Sequence, residues 1–196
     1  ASCNRFTHYE HSLAQLERVF FLFVEQHNVK GQYMTWLLIV ETIALTFDDL
    51  KPLKHWIIEY ERLRARHPRC PGFELKLKVF ALAAGVMSMV QPTHPRLQRL
   101  IRICQMGALL VPLKEPRAAI LAYLAFHYLS SGDIARLSAL SKHLAPALSD
   151  TSMAMPVRLL SHAMLGLHQL VAGKQQPHQV LDEGMAIALP GETFSS

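Results

Sequence analysis

Charged residues and long apolar runs are both scarce in this chain of 196 residues. Charged residues make up 18% of the sequence, although soluble domains usually carry about a quarter, so we expect a partly apolar surface. No apolar run reaches the roughly 20 residues that a membrane span needs. We therefore expect no membrane role, and we interpret the longest run, AAILAYLAF from Ala118 to Phe126, as a buried helix.

Cysteine is also scarce, with Cys3, Cys70 and Cys104 spread along the chain and no CxxC motif. This usage argues against a disulfide framework and favours a reducing compartment, and the chain shows no signal-peptide pattern, so we expect a cytoplasmic protein. Cys70 follows Arg69 in a turn and is predicted to be exposed and reactive. Cys104 lies among apolar residues and is predicted to be a buried, inert thiol.

The motifs that organise many catalytic and phosphate-binding sites are absent as well. The sequence contains neither a GxSxG nucleophile motif nor a GxxxxGK[ST] phosphate loop. His8 and His11 form at most a weak metal site, and His127 is predicted to be a hydrogen-bonded core residue. We therefore predict a protein that is not an enzyme and that holds no cofactor and no metal.

What the chain does contain is a regular alternation of two kinds of helix. The first helix of the clearest pair carries one apolar face, with residues at i, i+3, i+4, i+7 and i+10: Leu53, Trp56, Ile57, Tyr60 and Leu63. The second, VFALAAGVMSMV at 79–90, is apolar on all sides except for Ser88. Such a helix must be buried by several neighbours. The alternation therefore predicts stacked helical hairpins, with helices two, four and six as a buried layer.

Turns rich in proline, glycine and aspartate divide the chain into about nine predicted helices. The predicted hairpins lie at about residues 12–47, 51–90, 95–130 and 133–172, and a last helix at 177–189 precedes a tail at 191–196. Ser12 and Asp133 are predicted N-caps, and Pro146 is predicted to kink or end its helix. Successive first helices start 38 to 44 residues apart, a period that indicates a helical-hairpin array. We predict one all-α domain over residues 1–190.

Two parts of the chain resemble the tetratricopeptide repeat. Gly166, Gly173 and Pro190 fit the small, turn and terminal-proline positions of that repeat, and Tyr128 and Gly132 fit its aromatic and turn positions. Alanines that the repeat prefers are replaced, so the repeats are degenerate. The resemblance implies a right-handed, tetratricopeptide-like solenoid of stacked antiparallel helical hairpins, whose first helices line a concave face.

A longer segment, from Gly31 to Leu97, resembles the helical-repeat region of large bacterial multidomain transcriptional regulators. The matching marks are Gln32 and Trp36 at the start of one helix, followed by DDLKPLKHWI, HPRCPGFEL and QPTHP. Members of this family combine a DNA-binding end, often a nucleotide-binding or bacterial-activator domain, and a tetratricopeptide-like array. The resemblance implies a non-catalytic region for signal sensing or protein interaction, which contacts other domains of a longer chain. The alternative is a stand-alone adaptor or scaffold with no role in transcription.

Four arginines on two first helices offer the clearest candidate binding surface. Arg62 and Arg66 lie with Glu59 on the predicted solvent-facing side of one helix, and Arg99 and Arg102 recur along the next first helix. On stacked hairpins they would form a basic strip on the concave face, which suits a protein partner or a small signal ligand that carries a carboxylate or phosphate. The alternative is a solvated face that keeps an apolar-rich protein in solution.

The formal net charge of +5 permits contact with nucleic acid. We nevertheless predict no direct nucleic-acid contact by this segment, because the sequence contains no recognition helix and no basic arm.

The first helix is apolar beyond a single stripe. In VFFLFV, at residues 19–24, Phe20, Phe21 and Phe23 fall on different sides of the helix. A solenoid normally closes with a polar-faced cap, so we expect another repeat or a second copy of the chain to pack here. Trp36 and Trp56, which could form a ligand cage, fall on apolar faces and are predicted to be core residues.

Overall fold

The computed structural model describes residues 2–46, 49–111, 114–150, 152–153 and 155–173. Within these ranges the chain forms eight α-helices and no strand. The helices are α1 (Ser2–Glu25), α2 (Val29–Thr46), α3 (Pro52–Arg66), α4 (Phe73–Val90), α5 (Leu97–Leu110), α6 (Lys114–Ser131), α7 (Ile134–Ser149) and α8 (Met155–Val171). The predicted all-α class is therefore confirmed. The predicted ninth helix and the tail lie outside the described residues, and the solenoid arrangement stays a prediction.

From α3 to α8, the helix boundaries lie within two residues of the predicted ones. Pro52 occupies the start of α3, where its missing N–H costs nothing. Asp133 is the N-cap of α7, because its side chain accepts a hydrogen bond from the Arg136 amide at 3.1 Å. These local signals were sufficient because each depends only on residues within one turn.

One predicted helix signal is wrong, and a second is wrong in part. Ser12 lies inside α1, which begins ten residues earlier at Ser2, because residues 2–11 contain no proline or glycine that would stop the helix. Pro146 lies inside α7, which continues to Ser149. The prediction that Pro146 ends the helix is therefore wrong, whereas a kink at this proline stays a prediction.

The helices belong to two compact units, one within Ala1–His94 and the other within Pro95–Ser196. Unit 1 contains α1 to α4, and unit 2 contains α5 to α8. In unit 1, α2 packs against α1, α3 and α4, and in unit 2, α6 packs against α5, α7 and α8. The second helix of each unit is therefore the central one, which explains why its sequence is apolar almost all round.

Large aromatic side chains fill the core of unit 1. Trp36 and Trp56 are at most 1% exposed, and Trp36 Nε1 donates a hydrogen bond to the Trp56 carbonyl oxygen at 2.8 Å. The Trp36 ring lies 5.0 Å from the Tyr60 ring, and Phe20 of α1 meets Trp56 edge to face at 5.2 Å. The predicted apolar face of α3 is wholly buried. The two tryptophans are therefore core residues, as predicted.

Small apolar side chains and buried polar ones fill unit 2. Residues 118–125 of α6 are buried and include four alanines, so the AAILAYLAF run is a buried helix, as predicted. His162 and His168 of α8 are also buried, and a hydrogen bond of 2.8 Å joins His168 Nε2 and Ser138 Oγ. None of the described helices combines the length and the apolarity that crossing a membrane requires.

Candidate functional site

Each unit has a cleft beside its first and third helices. In unit 1 a cavity of about 550 Å³, the α1–α3 cleft, is lined by Phe20, Phe21, Val24, Glu59, Arg62, Ala65 and Arg66. In unit 2 a cavity of about 410 Å³, the α5–α7 cleft, is lined by Gln98, Ile101, Arg102, Gln105, His127, Tyr128, Ser131, Asp133 and Arg136. The two clefts occupy equivalent positions in their units. The second helix lies at the centre of each unit, so the first and third helices have sides that face solvent.

Helix α1 supplies the apolar wall of the α1–α3 cleft. Phe20 is wholly buried, and its ring meets the ring of Phe21 edge to face at 5.5 Å. Phe21 is 51% exposed, and the neighbouring Leu22 and Val19 are 44% and 38% exposed. The described part of the chain therefore leaves the apolar side chains of α1 without a covering element, which agrees with the apolar surface predicted for the first helix.

Helix α3 supplies the charged wall of the same cleft. Glu59 was expected on the solvated face of α3, yet its side chain is only 9% exposed and forms an ion pair with Arg62, whose side chain is 62% exposed. Glu59 is buried because the inward face of α3 is wider than its apolar stripe and extends to α1. Arg66 is exposed, and its Nε donates to the Arg62 carbonyl oxygen at 3.4 Å. Arg66 therefore presents a charge that, within the described part of the chain, no carboxylate neutralises.

The α5–α7 cleft is built around Tyr128, which is 4% exposed. Gln105 Nε2 donates to the Tyr128 hydroxyl oxygen at 2.5 Å, and the Asp133 amide donates to the Tyr128 carbonyl oxygen at 2.9 Å. The Arg136 guanidinium carbon lies 5.9 Å from the centroid of the Tyr128 ring. The chain reverses between α6 and α7 at Gly132, whose φ is 73°. Glycine suits this position because a residue with a side chain would be strained at that φ. The reversal brings Tyr128 and Arg136 together.

The charges of the α5–α7 cleft are arranged around one carboxylate. Asp133 caps α7 through Oδ1, and its Oδ2 lies 3.4 Å from Arg136 Nη1. Arg102 is exposed, and its Nε donates to the Gln98 carbonyl oxygen at 3.4 Å. Burial lowers the pKa of His127 below its usual 6.5, and Arg136 lowers it further while Asp133 acts in the opposite direction. With an uncharged imidazole at neutral pH, the two arginines and one aspartate give the cleft a net charge of +1.

The described thiols are poor nucleophiles. Cys70 is half-buried, and burial raises its pKa to about 11, so the prediction of an exposed, reactive thiol is wrong. Cys104 is buried, as predicted, and burial raises its pKa to about 12. Both thiols are therefore protonated at neutral pH. Among the described residues, no group of three or more histidine, cysteine, aspartate or glutamate side chains is placed to hold a metal ion.

The four arginines predicted as site residues fall in two different places. Arg62 and Arg66 line the α1–α3 cleft, and Arg102 lines the α5–α7 cleft. Arg99 is exposed on α5 but lines neither cleft. A single basic strip would require Arg62 and Arg66 of unit 1 to lie in line with Arg99 and Arg102 of unit 2. No observation tests that arrangement, so the strip stays a prediction.

Sequence reasoning missed most of the α5–α7 cleft. Gln105, Tyr128, Asp133 and Arg136 were not predicted as site residues, although Tyr128 and the Asp133 cap were noted individually. The available signal was the tight SSGD turn, which places Tyr128 and Arg136 close to each other on either side of Gly132. Gln105 gave no such signal, because only tertiary packing brings it to Tyr128.

Comparisons with models of known protein families, with curated proteins and with solved structures find no match to this chain. The resemblance of residues 31–97 to regulator repeats therefore stays a prediction.

Proposed function

We propose that this chain is the signal-sensing or protein-interaction region of a bacterial transcriptional regulator, built as a tetratricopeptide-like solenoid and without catalytic activity. The resemblance of residues 31–97 supports the regulatory role, and the eight described helices are compatible with a hairpin array. The observation that carries the binding role is the α1–α3 cleft, in which exposed apolar side chains lie beside two arginines.

The exposed side chains of α1 favour contact with another protein. Val19, Phe21 and Leu22 are large apolar residues on one short helical stretch, and each is more than a third exposed. Contiguous apolar surface of this kind is typical of interaction sites. Burying the exposed part of Phe21 in a partner would release water from its ring, and aromatic and arginine side chains are enriched among the residues that dominate interface energies.

The charged wall indicates what kind of partner fits. Glu59 already neutralises Arg62 in part, whereas Arg66 is in no ion pair within the described part of the chain. An amphipathic helix that carries an acidic residue beside its apolar face would cover Phe21 and pair with Arg66. We propose that this helix belongs to another domain of the same longer chain or to a protein partner.

The chemistry of the described residues favours binding over catalysis. Both described thiols have raised pKa values, and the Asp133 carboxylate is engaged by the α7 cap and by Arg136. These groups therefore lack the activated state that a nucleophile or a general base requires.

A stand-alone adaptor with no role in transcription is the second candidate, because the α1–α3 cleft would serve that role equally well. The two candidate functions predict different reading frames. A reading frame that continues into a helix–turn–helix or a phosphate-binding loop supports the regulator, whereas a frame that begins and ends with this chain contradicts it.

The binding role is tested by a photo-crosslinking residue placed at Phe21 of the full-length protein in its own cell. Phe73 is the matched control, because it is a phenylalanine of the same unit that is 63% exposed and does not line the cleft. We expect the photo-crosslinking residue at position 21 to form a specific cross-link to another protein or to another domain, and we expect no such cross-link from position 73. The double substitution Arg62→Ala and Arg66→Ala should weaken that cross-link more than Arg99→Ala and Arg102→Ala do. Equal cross-linking at both positions contradicts the proposal.

A further inference from the structure

The α5–α7 cleft has the size and the lining of a site for a small molecule. Its volume of about 410 Å³ falls within the range of pockets that hold metabolite-sized ligands, about 300–1,000 Å³. Three helices of unit 2 contribute to it, with Ile101 and Tyr128 as its apolar parts and Gln105 among its polar ones. A cavity that draws on three elements offers convergent contacts, unlike a flat surface.

The floor of this cleft is held in place before any ligand arrives. The Tyr128 hydroxyl is bonded to Gln105, and the Tyr128 carbonyl oxygen accepts from the Asp133 amide. The Ser131 hydroxyl also donates to the Tyr128 carbonyl oxygen, at 3.2 Å. Arg136 is held over the Tyr128 ring and beside Asp133. A ligand would therefore meet a preorganised site, which reduces the entropy lost on binding.

The charge of the cleft selects a monoanion. Arg102 and Arg136 supply two positive charges, and Asp133 removes one of them by pairing with Arg136. Within the described part of the chain, Arg102 is in no ion pair, and its Nε alone is engaged, by the Gln98 carbonyl oxygen. Guanidinium groups match the planar, two-oxygen geometry of a carboxylate. The Asp133 carboxylate would repel the second charge of a phosphate dianion.

We propose that the α5–α7 cleft binds a small hydroxy-carboxylate, with the carboxylate on Arg102 and Arg136 and the hydroxyl group on the polar side chains around Gln105. This inference rests on the proposed function, because it names the class of signal ligand that the sensing region takes.

The test is a titration of the isotope-labelled chain of 196 residues, in which binding is monitored through the amide chemical shifts. The titrations are made at mildly alkaline pH, where glycerate and lactate are the hydroxy-carboxylate probes, glycerol is the uncharged analogue and inorganic phosphate is mainly the dianion. We expect saturable shifts with at least one hydroxy-carboxylate, no saturable shift with glycerol, and binding of phosphate that is weaker by a factor of about ten or more. The proposal is overturned if neither hydroxy-carboxylate saturates by about 50 mM or if phosphate binds more tightly.

Two substitutions on the same helix locate the site. Arg102→Ala should weaken hydroxy-carboxylate binding by a factor of about ten or more. Arg99→Ala removes the same charge from α5 outside the cleft and should change the affinity by less than about twofold. Circular dichroism of each variant establishes that the helices are retained. Equal effects of the two substitutions would show a diffuse electrostatic attraction and overturn the proposed site.

Failure of this proposal can be told from failure of the proposed function. The titration reports on α5 to α7 of unit 2, whereas the cross-linking at Phe21 reports on α1 of unit 1. A negative titration with a specific cross-link removes the hydroxy-carboxylate and keeps the partner contact. A saturable titration without a cross-link removes the partner contact and keeps the ligand site.

Discussion

Unit 1 and unit 2 arrange their helices alike but fill their interiors with different chemistry. In each, the second helix packs against the other three. Of the side chains that the structure describes, the largest fully buried ones, led by Trp36, Trp56 and Tyr33, all belong to unit 1. Among the described residues, the buried histidines, His127, His162 and His168, all belong to unit 2.

The residues that line each cleft resemble those that fill the interior of the same unit. Aromatic residues of α1 and α3 that pack in unit 1 continue outward to the exposed ring of Phe21, so its cleft has an apolar wall. In unit 2 the core beside the cleft includes His127 and Tyr128, and the cleft is lined mainly by polar and charged side chains. One helix arrangement therefore carries two clefts with different linings, and in unit 2 the residues on α6 and at the start of α7 make the difference.

The largest effect is expected from the aromatic core of unit 1. Trp36→Ala removes a fully buried ring and its hydrogen bond to the Trp56 carbonyl oxygen, so we expect the free energy of unfolding to fall by about 3–5 kcal/mol. Urea unfolding followed by circular dichroism measures it. Met34→Ala on the same helix is the control, because Met34 is 47% exposed and should cost less than about 1 kcal/mol. Similar losses in both variants would contradict the assigned core.

The next effect concerns the contact between α1 and α2. A Cβ at Gly31 would lie 2.6 Å from Cγ of Phe23, so Gly31→Ala should lower the free energy of unfolding by about 1–3 kcal/mol. Adding Phe23→Leu removes the ring and should recover part of this loss, as a double-mutant cycle measures. Independent, additive effects would show that the two residues do not collide.

Gly132 in unit 2 provides the contrast, because a Cβ there meets nothing within 4 Å and only its φ of 73° opposes a side chain. Gly132→Ala should therefore cost about 1 kcal/mol in the free energy of unfolding. Gly132→Asn should cost less, because asparagine tolerates this backbone conformation better than alanine does. An equal cost for both substitutions would contradict a conformational cause.

An effect of similar size separates the two arginines of the α1–α3 cleft. Arg62→Ala leaves the Glu59 carboxylate, which is 9% exposed, without its cation, and we expect a loss of about 1–2 kcal/mol in the free energy of unfolding. Arg66→Ala should cost about 0.5 kcal/mol or less. Glu59→Gln in the Arg62→Ala background should restore stability, because no buried charge then remains. If Arg62→Ala and Arg66→Ala cost the same, the ion pair does not contribute.

The smallest effect is a pH dependence of stability that arises in unit 2. Because burial and Arg136 lower the pKa of His127 in the folded chain, the unfolded chain binds a proton more readily as the pH falls below about 6.5. Stability therefore falls with falling pH, and Asp133 moderates the effect. We expect His127→Gln to lose less stability than the original chain between about pH 7.5 and pH 5, measured by urea unfolding. Parallel stability curves for the two proteins would contradict this origin.

Much of the fold could be predicted from the sequence because its signals are local. The stripe from Leu53 to Leu63 requires only helical periodicity, and every predicted member of it is buried. The Asp133 cap requires only its own turn. Ser12 was a misleading signal, because a serine caps a helix only where the helix begins, and nothing in the ten residues before it ends the helix.

The candidate sites were less predictable because they depend on residues far apart in sequence. Arg62, Arg66 and Arg102 were predicted from charge patterning and do line clefts, whereas Arg99 shares that pattern and lines neither. Glu59 was expected in solvent, yet it is buried beside the α1 residues that line the same cleft. The Gln105–Tyr128 hydrogen bond spans 23 residues, which no periodicity reveals.

The sequence by itself determined most of the helices, their apolar faces and the burial of the helices that are apolar all round. These properties follow from the spacing of side chains along one helix and from the cost of exposing apolar surface. The tertiary structure alone decided that Glu59 is buried, that Cys70 holds its proton, and that Arg102 shares a cavity with Tyr128 and Arg136. Those outcomes depend on which helices approach one another, because burial and charge proximity are set by neighbours in space.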